Sequence, residues 1–181
     1  MHMWKKMIWK KAGLVLAMVS VLCMMGAMMV FANSIYLNGD RNFVGVGGSG
    51  TNNTNYIDIT SVNVHEYNPP YYIIAFNRIN WVRGVPGRED HISWHFSRTE
   101  RYRYDYDARK MYIERKDRNG TTYWFYLDPS YLRNGCQGFG SPAYVWWNFA
   151  QGEIAFMTAY HMSFFKTPVT DYAKRYWQTL Q

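Results

Sequence analysis

The chain has 181 residues and carries 20 lysines and arginines against 13 aspartates and glutamates, a formal net charge of +7. Lys5, Lys6, Lys10 and Lys11 lie in the first eleven residues, so residues 33–181 hold 16 basic against 13 acidic side chains, a balance of +3. Such a small excess, with no long basic cluster, argues against nucleic-acid binding. Beyond residue 32 only Cys136 remains of the two cysteines, which excludes a fold built on internal disulfides.

The first 32 residues have the composition of an export signal. The lysines precede an apolar run over 12–32 that ends on small residues before polar Asn33-Ser34. The run is longer than the roughly 7–15 residues of a typical signal core and close to the roughly 20 of a membrane span. An uncleaved anchor is therefore the alternative to a cleaved signal peptide. Both the cleaved signal peptide and the uncleaved anchor predict an extracytoplasmic protein (secreted, periplasmic or cell-surface). Contact with a membrane is expected only through this segment, if it is uncleaved.

Strand patterns begin after a region rich in glycine and asparagine. Residues 33–55 are predicted to form a flexible arm, and 56–181 a single domain. The 56–64 segment predicts a strand whose phase changes near 60–61, and 71–79 predicts a strand covered on both sides. An alternating pattern over 92–106 predicts a long strand that is bent or divided at 98–100.

Two hairpins follow. The Asn119-Gly120 pair predicts a two-residue type I′ turn, because both central residues of that turn need positive φ. The resulting register places Ile113 opposite Tyr126. A four-residue loop over 107–110 closes the preceding hairpin.

This register sorts the side chains onto two faces. The face predicted to line the core carries Tyr102, Tyr104, Tyr106, Met111, Ile113, Trp124 and Tyr126. The solvent-facing side carries charged residues, with Arg103 opposite Glu114. The predicted binding site lies there and comprises Tyr112, Tyr123, Phe125, Arg101, Arg103 and Lys116. Aromatic and arginine side chains give large contact areas at little ordering cost. The alternative is that the N-terminal arm partly covers this face.

The C-terminal third predicts two helices. Ser141-Pro142 is a typical start for the first, over 143–164, which Gly152 is expected to kink or divide. Thr167-Pro168 is expected to start the second. Its apolar stripe comprises Val169, Tyr172, Ala173, Tyr176, Trp177 and Leu180, and it is expected to dock on the aromatic face. The prediction is an α+β domain, a single antiparallel sheet of five or six strands with these helices on one face.

The sequence predicts no catalytic residue, metal site or cofactor. His91 and His95 lie in a strand-like pattern, where four residues span about 13 Å, too far for one ion. Cys136 with His161 and Asp171 could form a thiol nucleophile and its base, but Cys136 lies in a loop that does not activate a thiolate.

The pattern of strands resembles small exported bacterial proteins of the surface-adhesin protein E type. The segments that carry the resemblance are 56–62, 71–76 and the hairpins over 102–127. The resemblance implies an antiparallel sheet with helices on one side and a surface or envelope role. This chain departs from the disulfide-bearing members, and no functional residue carries over.

The expected function is therefore that of an exported, non-enzymatic binding protein of the cell envelope or surface. Its expected partner is a protein or a glycan. A small extracytoplasmic hydrolase and a structural envelope component are the alternatives.

Overall fold

Seven antiparallel strands form one sheet in the computed structural model, which describes residues 35–48, 53–82, 93–130 and 143–181. The strands are β1 Tyr36–Leu37, β2 Asp40–Gly47, β3 Asn53–Asn68, β4 Tyr71–Val82, β5 Ser93–Asp105, β6 Lys110–Lys116 and β7 Thr122–Leu127. Each strand pairs with its sequence neighbour. Helices α1 (Ala143–Tyr160) and α2 (Asp171–Leu180) follow. The predicted α+β class, with C-terminal helices packed on one antiparallel sheet, is confirmed, with seven strands in place of five or six.

Several predicted features lie outside the described residues. These are the export segment 1–32, His91, Cys136 and the helix start at Ser141-Pro142. Neither described helix combines the length and the apolar composition that crossing a bilayer requires.

The flexible arm predicted over 33–55 was wrong where strands β1, β2 and the start of β3 occupy it. Val44 and Val46 alternate along β2 and are fully buried, and Val44 pairs with Ile57 of β3. Gly47 has a φ of 113°, and a Cβ there would lie 2.7 Å from Cδ1 of Trp147. The glycine that suggested flexibility therefore allows α1 to pack closely against the end of β2.

Strand β3 changes phase where the sequence predicts it. The register with β4 shifts between Asp58 and Asn63. Asp58 Oδ1 accepts hydrogen bonds from the Thr60 N–H at 3.0 Å and the Thr60 hydroxyl at 2.6 Å, and Ser61 Oγ accepts from the Asn77 N–H at 2.8 Å. These side chains take over the bonding of backbone groups at the irregularity.

Strand β5, in contrast, is not divided at 98–100. It runs unbroken from Ser93 to Asp105, and its irregularity against β4 lies between Ile79 and Asn80. Glu100, which suggested the division, is only 3% exposed and lies among arginine side chains.

The β5–β6 hairpin has its loop at 106–109, one residue earlier than predicted. Arg103 therefore lies opposite Tyr112, two residues away from the predicted partner Glu114, which instead bonds Arg101. A shift of two residues keeps each side chain on its predicted face. The core prediction is confirmed for four fully buried residues of these strands: Tyr102, Tyr104, Met111 and Ile113.

The β6–β7 hairpin has a three-residue loop in place of the predicted two-residue turn. The Asp117 N–H donates to Thr121 O at 3.0 Å, and Asp117 Oδ1 accepts from the N–H groups of Thr121 and Asn119 at 2.8 and 2.9 Å. Within the loop only Gly120 has positive φ, 83°, as expected for a type I turn followed by a left-handed glycine. The additional loop residue shifts the pairing by one, so the predicted register was wrong.

This one-residue shift exchanges the two faces of β7. Ile113 lies opposite Phe125 and not Tyr126. Trp124 and Tyr126, predicted to line the core, lie on the face away from the helices, where Tyr126 is 38% exposed. Leu127 is fully buried and completes the core.

Helix α1 is one continuous helix that ends at Tyr160, four residues earlier than predicted. His161 follows with a φ of 51°, and its N–H donates to Met157 O at 2.8 Å. Gly152 does not divide the helix. A Cβ at that position would overlap Met111 Sδ, so the missing side chain lets α1 contact the sheet.

Helix α2 begins later than predicted, with Thr170 and not Thr167 as its N-cap. Within the helix its apolar stripe packs as expected, with Ala173 and Tyr176 buried, but Val169 precedes the helix and is 37% exposed. Both helices lie on the sheet face that carries Tyr102 and Tyr104. The hydroxyl of Tyr102 donates to Gln151 Oε1 at 3.1 Å and that of Tyr104 to Gly152 O at 2.8 Å.

Candidate functional site

The sheet face opposite the helices, here called the outer face, carries an ordered set of aromatic and charged side chains. Its members on β4 to β7 are Tyr71, Ile73, Arg101, Arg103, Tyr112, Glu114, Lys116, Trp124 and Tyr126. They alternate with the buried residues of the same strands, so the period-two geometry of strands places them on one surface.

One row of this face crosses four strands. Ile73, Arg103, Tyr112 and Tyr126 are successive pairing partners on β4, β5, β6 and β7. The guanidinium carbon of Arg103 lies 5.8 Å from the ring centre of Tyr71 and 5.9 Å from that of Tyr112. Both distances allow cation–π attraction. The rings of Tyr112 and Tyr126 follow at 5.4 Å.

The neighbouring row is neutralised internally. Arg101 Nη1 donates to Glu114 Oε1 at 2.8 Å, and Glu114 lies opposite Trp124. Among the described residues, no carboxylate pairs in this way with Arg103, whose charge is met by tyrosine rings alone. The outer face thus presents a positive charge framed by aromatic rings.

Two of the rings around Arg103 are exposed to solvent, while Tyr112 between them is half-buried. Tyr71 is 41% exposed and Tyr126 is 38% exposed. Burial of the rest of its ring raises the pKa of the Tyr126 hydroxyl, and nearby Asp128 and Tyr112 add to the shift. The hydroxyl therefore stays protonated at neutral pH and can donate a hydrogen bond to a partner.

The structure divides the six residues predicted as a binding site. Arg101, Arg103, Tyr112 and Lys116 share the outer face, but Tyr123 and Phe125 do not. The one-residue shift in β7 places both rings on the helix-bearing face, with Tyr123 opposite Arg115 and Phe125 opposite Ile113. They are 45% and 43% exposed, because they lie on an edge strand. Tyr71 and Tyr126 take their place on the outer face.

Sequence reasoning missed a second group on the helix-bearing face, where Glu100 meets Arg78, Arg98 and Arg115. The alternation of β5 contained the signal. Counting in twos from the core residue Tyr102 places Glu100 and Arg98 on the same face.

The structure describes some of the residues that the sequence considered for metal binding and catalysis. No group of three or more histidine, cysteine, aspartate or glutamate side chains within them could hold a metal ion. His95 lies in β5, as the strand-like pattern predicted. His161 is exposed after the end of α1, and Asp171 pairs with Lys174 at 3.1 Å.

Comparison with protein families, with curated proteins and with solved structures finds no match to this chain. The resemblance to exported proteins of the surface-adhesin protein E type stays a prediction. The site must therefore be interpreted from its own geometry.

Proposed function

We propose that this chain is an exported protein of the cell envelope or surface that binds a protein or glycan partner through the outer face, without catalysing a reaction. The observation that carries the proposal is that Arg103 lies between the rings of Tyr71 and Tyr112 and that the ring of Tyr126 adjoins that of Tyr112. The export part of the proposal rests on the composition of residues 1–32.

The first support is energetic. A β-sheet holds backbone and Cβ positions fixed, so binding here does not have to order the backbone beneath the side chains. Tyrosine and arginine are also enriched among the residues that contribute most to binding. Tyr71, Arg103 and Tyr126 combine these properties in one exposed patch.

The second support is the location of the patch. The helices pack on the opposite face, and the outer face carries two exposed rings, Tyr71 and Tyr126, although water is a poor environment for them. A partner that covers Tyr71 and Tyr126 would remove apolar ring surface from water, which contributes about 25 cal/mol per Å². The protonated tyrosine hydroxyl and the Arg103 guanidinium would supply directional bonds.

The test measures capture of an envelope preparation from the producing cells by beads coated with the purified protein. We expect the double variant Arg103→Ala with Tyr126→Ala to lower capture at least about tenfold, because each is an anchor of the type that contributes more than 1 kcal/mol. Both lie on the surface, so the variant should remain folded, which its thermal unfolding curve checks. Treating the envelope with protease or with periodate separates a protein partner from a glycan.

The matched control removes an exposed tyrosine and a cation elsewhere. Tyr67 is 68% exposed and the Lys174 side chain 53%, and neither lies on the outer face. The variant Tyr67→Ala with Lys174→Ala should capture as well as wild type. Undiminished capture by the outer-face variant would reject the proposed binding surface.

A further inference from the structure

A group of charged side chains lies on the helix-bearing face, beyond the part of the sheet covered at Tyr102. Glu100 is 3% exposed. Its Oε1 lies 3.4 Å from Arg78 Nε and 3.7 Å from Arg98 Nε, and its Oε2 lies 3.2 Å from Arg115 Nη1. These four residues are called the arginine cluster. One carboxylate faces three guanidinium groups, which leaves an excess of two positive charges within the cluster.

The strand pairing brings like charges together. Arg78 of β4 and Arg98 of β5 are direct partners on the same face. Like charges in directly opposed positions repel each other across a sheet. Glu100 lies two residues along β5 from Arg98 and offsets only part of this repulsion, because it also pairs with Arg115.

Within the described part of the chain, the arginines also have unused hydrogen-bond donors. Each guanidinium has five N–H groups. Only Arg115 meets Glu100 in hydrogen-bond geometry, at 3.2 Å. Nε of Arg78 is buried and has no hydrogen-bond partner within the described residues. Excess positive charge and unused donors are together complementary to an anion.

Glu100 does not need all three arginines to neutralise its carboxylate. A buried carboxylate requires a partner, and Arg115 and Arg78 supply it while being only 24% and 23% exposed. The side chain of Arg98 is 55% exposed and is the most distant of the three from the carboxylate. Arg98 therefore contributes least to neutralising Glu100 and is the arginine most accessible to a ligand.

Exposed aromatic rings lie beside the cluster. Tyr123 is the direct partner of Arg115, and Phe125 is the partner of Ile113 in the next row. Directly opposed side chains on a sheet have Cβ atoms about 4.5–5.5 Å apart. Tyr123 and Phe125 are 45% and 43% exposed on the same face as the arginines.

We propose that the arginine cluster binds an acidic saccharide, whose carboxylate is held by Arg98 and Arg115 while its ring rests on Tyr123 and Phe125. Guanidinium groups match the planar fork of a carboxylate. The apolar side of a sugar ring fits the exposed aromatic rings, which alone would not select an anion. This site lies on the other face from the surface proposed above and does not depend on it.

The test titrates the full chain with sodium D-glucuronate, D-glucose and sodium sulfate at constant ionic strength, by isothermal titration calorimetry. We expect saturable binding of glucuronate, weaker binding of sulfate, which lacks the ring, and none of glucose, which lacks the charge. Binding of glucuronate should weaken as ionic strength rises, since salt screens partly exposed charges. The absence of saturable glucuronate binding, or equal affinity for sulfate, would overturn the proposal.

Variants separate ligand binding from structural ion pairing. Arg98→Gln should weaken glucuronate binding about tenfold, because it removes a charge-assisted hydrogen bond. Glu100→Gln should strengthen it, because the positive excess rises by one. Arg41→Gln removes an exposed arginine of β2, which belongs to neither proposed surface, and should leave glucuronate binding unchanged as the matched control.

The variant outcomes also keep the two proposed surfaces distinguishable. If Glu100→Gln fails to fold, the comparison of Arg98→Gln with the control Arg41→Gln still tests the site. Equal glucuronate affinity in these two variants would refute the site. Arg98→Gln should retain capture of the envelope preparation, so failure of either proposed surface can be recognised independently.

Discussion

Replacing Glu153 by glutamine should weaken the fold and change its dependence on pH. Glu153 of α1 is 1% exposed. Its Oε1 accepts from the Val169 N–H at 2.6 Å, and its Oε2 accepts from the N–H and hydroxyl of Thr170 at 3.0 and 2.7 Å. Thr170 Oγ1 in turn accepts from the Ala173 N–H at 3.3 Å. One buried carboxylate therefore fixes the residue at which α2 begins.

The magnitude follows from the number of donors left without an acceptor. Glutamine keeps the shape of Glu153 but has only one acceptor oxygen, so the two donors of Thr170 face an amide NH₂ group. A buried donor without an acceptor costs about 1–3 kcal/mol. Removing a desolvated charge offsets part of this loss. We expect a net loss of about 1–3 kcal/mol, a large share of the roughly 5–15 kcal/mol that stabilises a domain.

The direction of the pH dependence follows from the pKa of Glu153. Burial raises this pKa above its ordinary value of 4.5, although the hydrogen bonds from Val169 and Thr170 oppose the shift. A folded-state pKa above the unfolded one means that the folded state binds the proton more tightly. The resulting stabilisation is fully present below the unfolded pKa and is lost as pH rises through the folded pKa. Glutamine lacks this proton, so the stability difference should be larger at about pH 4 than at about pH 7.

The assay is urea unfolding of wild type and Glu153→Gln at several pH values across this range. Subtracting the two curves removes the contribution of groups that titrate in both proteins. Glu114→Gln is the matched control, because Glu114 is partly exposed on the outer face and bonds only Arg101 among the described residues. A difference that stays constant, or grows with pH, would show that Glu153 does not act as described.

Two further substitutions test the packing and the last hairpin. Gly152→Ala should destabilise the protein in thermal unfolding, because a Cβ would overlap Met111 Sδ and lie 2.9 Å from Cδ1 of Tyr102. Overpacking costs about 1–3 kcal/mol, which exceeds the roughly 1 kcal/mol by which alanine is favoured over glycine in a helix. A variant more stable than wild type would contradict the close approach of α1. Asp117→Ala should lower the free energy of unfolding in urea by about 1 kcal/mol, because two turn N–H groups lose their acceptor. Asp117→Asn keeps Oδ1 and should lose less stability. An equal loss in both variants would contradict the role of that oxygen.

The accuracy of the predicted sheet depends on the size of the register error in each hairpin. In the β5–β6 hairpin the error was two residues, so Tyr102 and Met111 still fell on the core face. In the β6–β7 hairpin it was one residue, and β7 was reversed. Asn119-Gly120 indicates a turn, but the carboxylate of Asp117 decides its length by bonding two N–H groups of the loop. The length of this turn therefore depends on side-chain geometry that cannot be predicted from composition.

The start of α2 shows the same limit at longer range. Thr167 and Thr170 are both good N-cap residues, and the Pro168 that follows Thr167 favours the earlier one. The structure selects Thr170, because Glu153 of α1 binds it from 17 positions away in the sequence. A local pattern cannot identify such a partner. It did identify the apolar stripe of α2, which depends only on helical spacing.

Both proposed surfaces have one physical origin, the limited cover that two helices provide for a seven-stranded sheet. Contacts of Gln151 and Gly152 close the sheet over Tyr102 and Tyr104, and there the side chains are fully buried. In the next row, Glu100 is kept from water by arginines, and the edge ring of Tyr123 stays exposed. Within the described residues, the opposite face has only side chains to cover it. The uncovered parts of both faces carry arginine beside aromatic rings, a combination that packs poorly in a core and binds well at a surface.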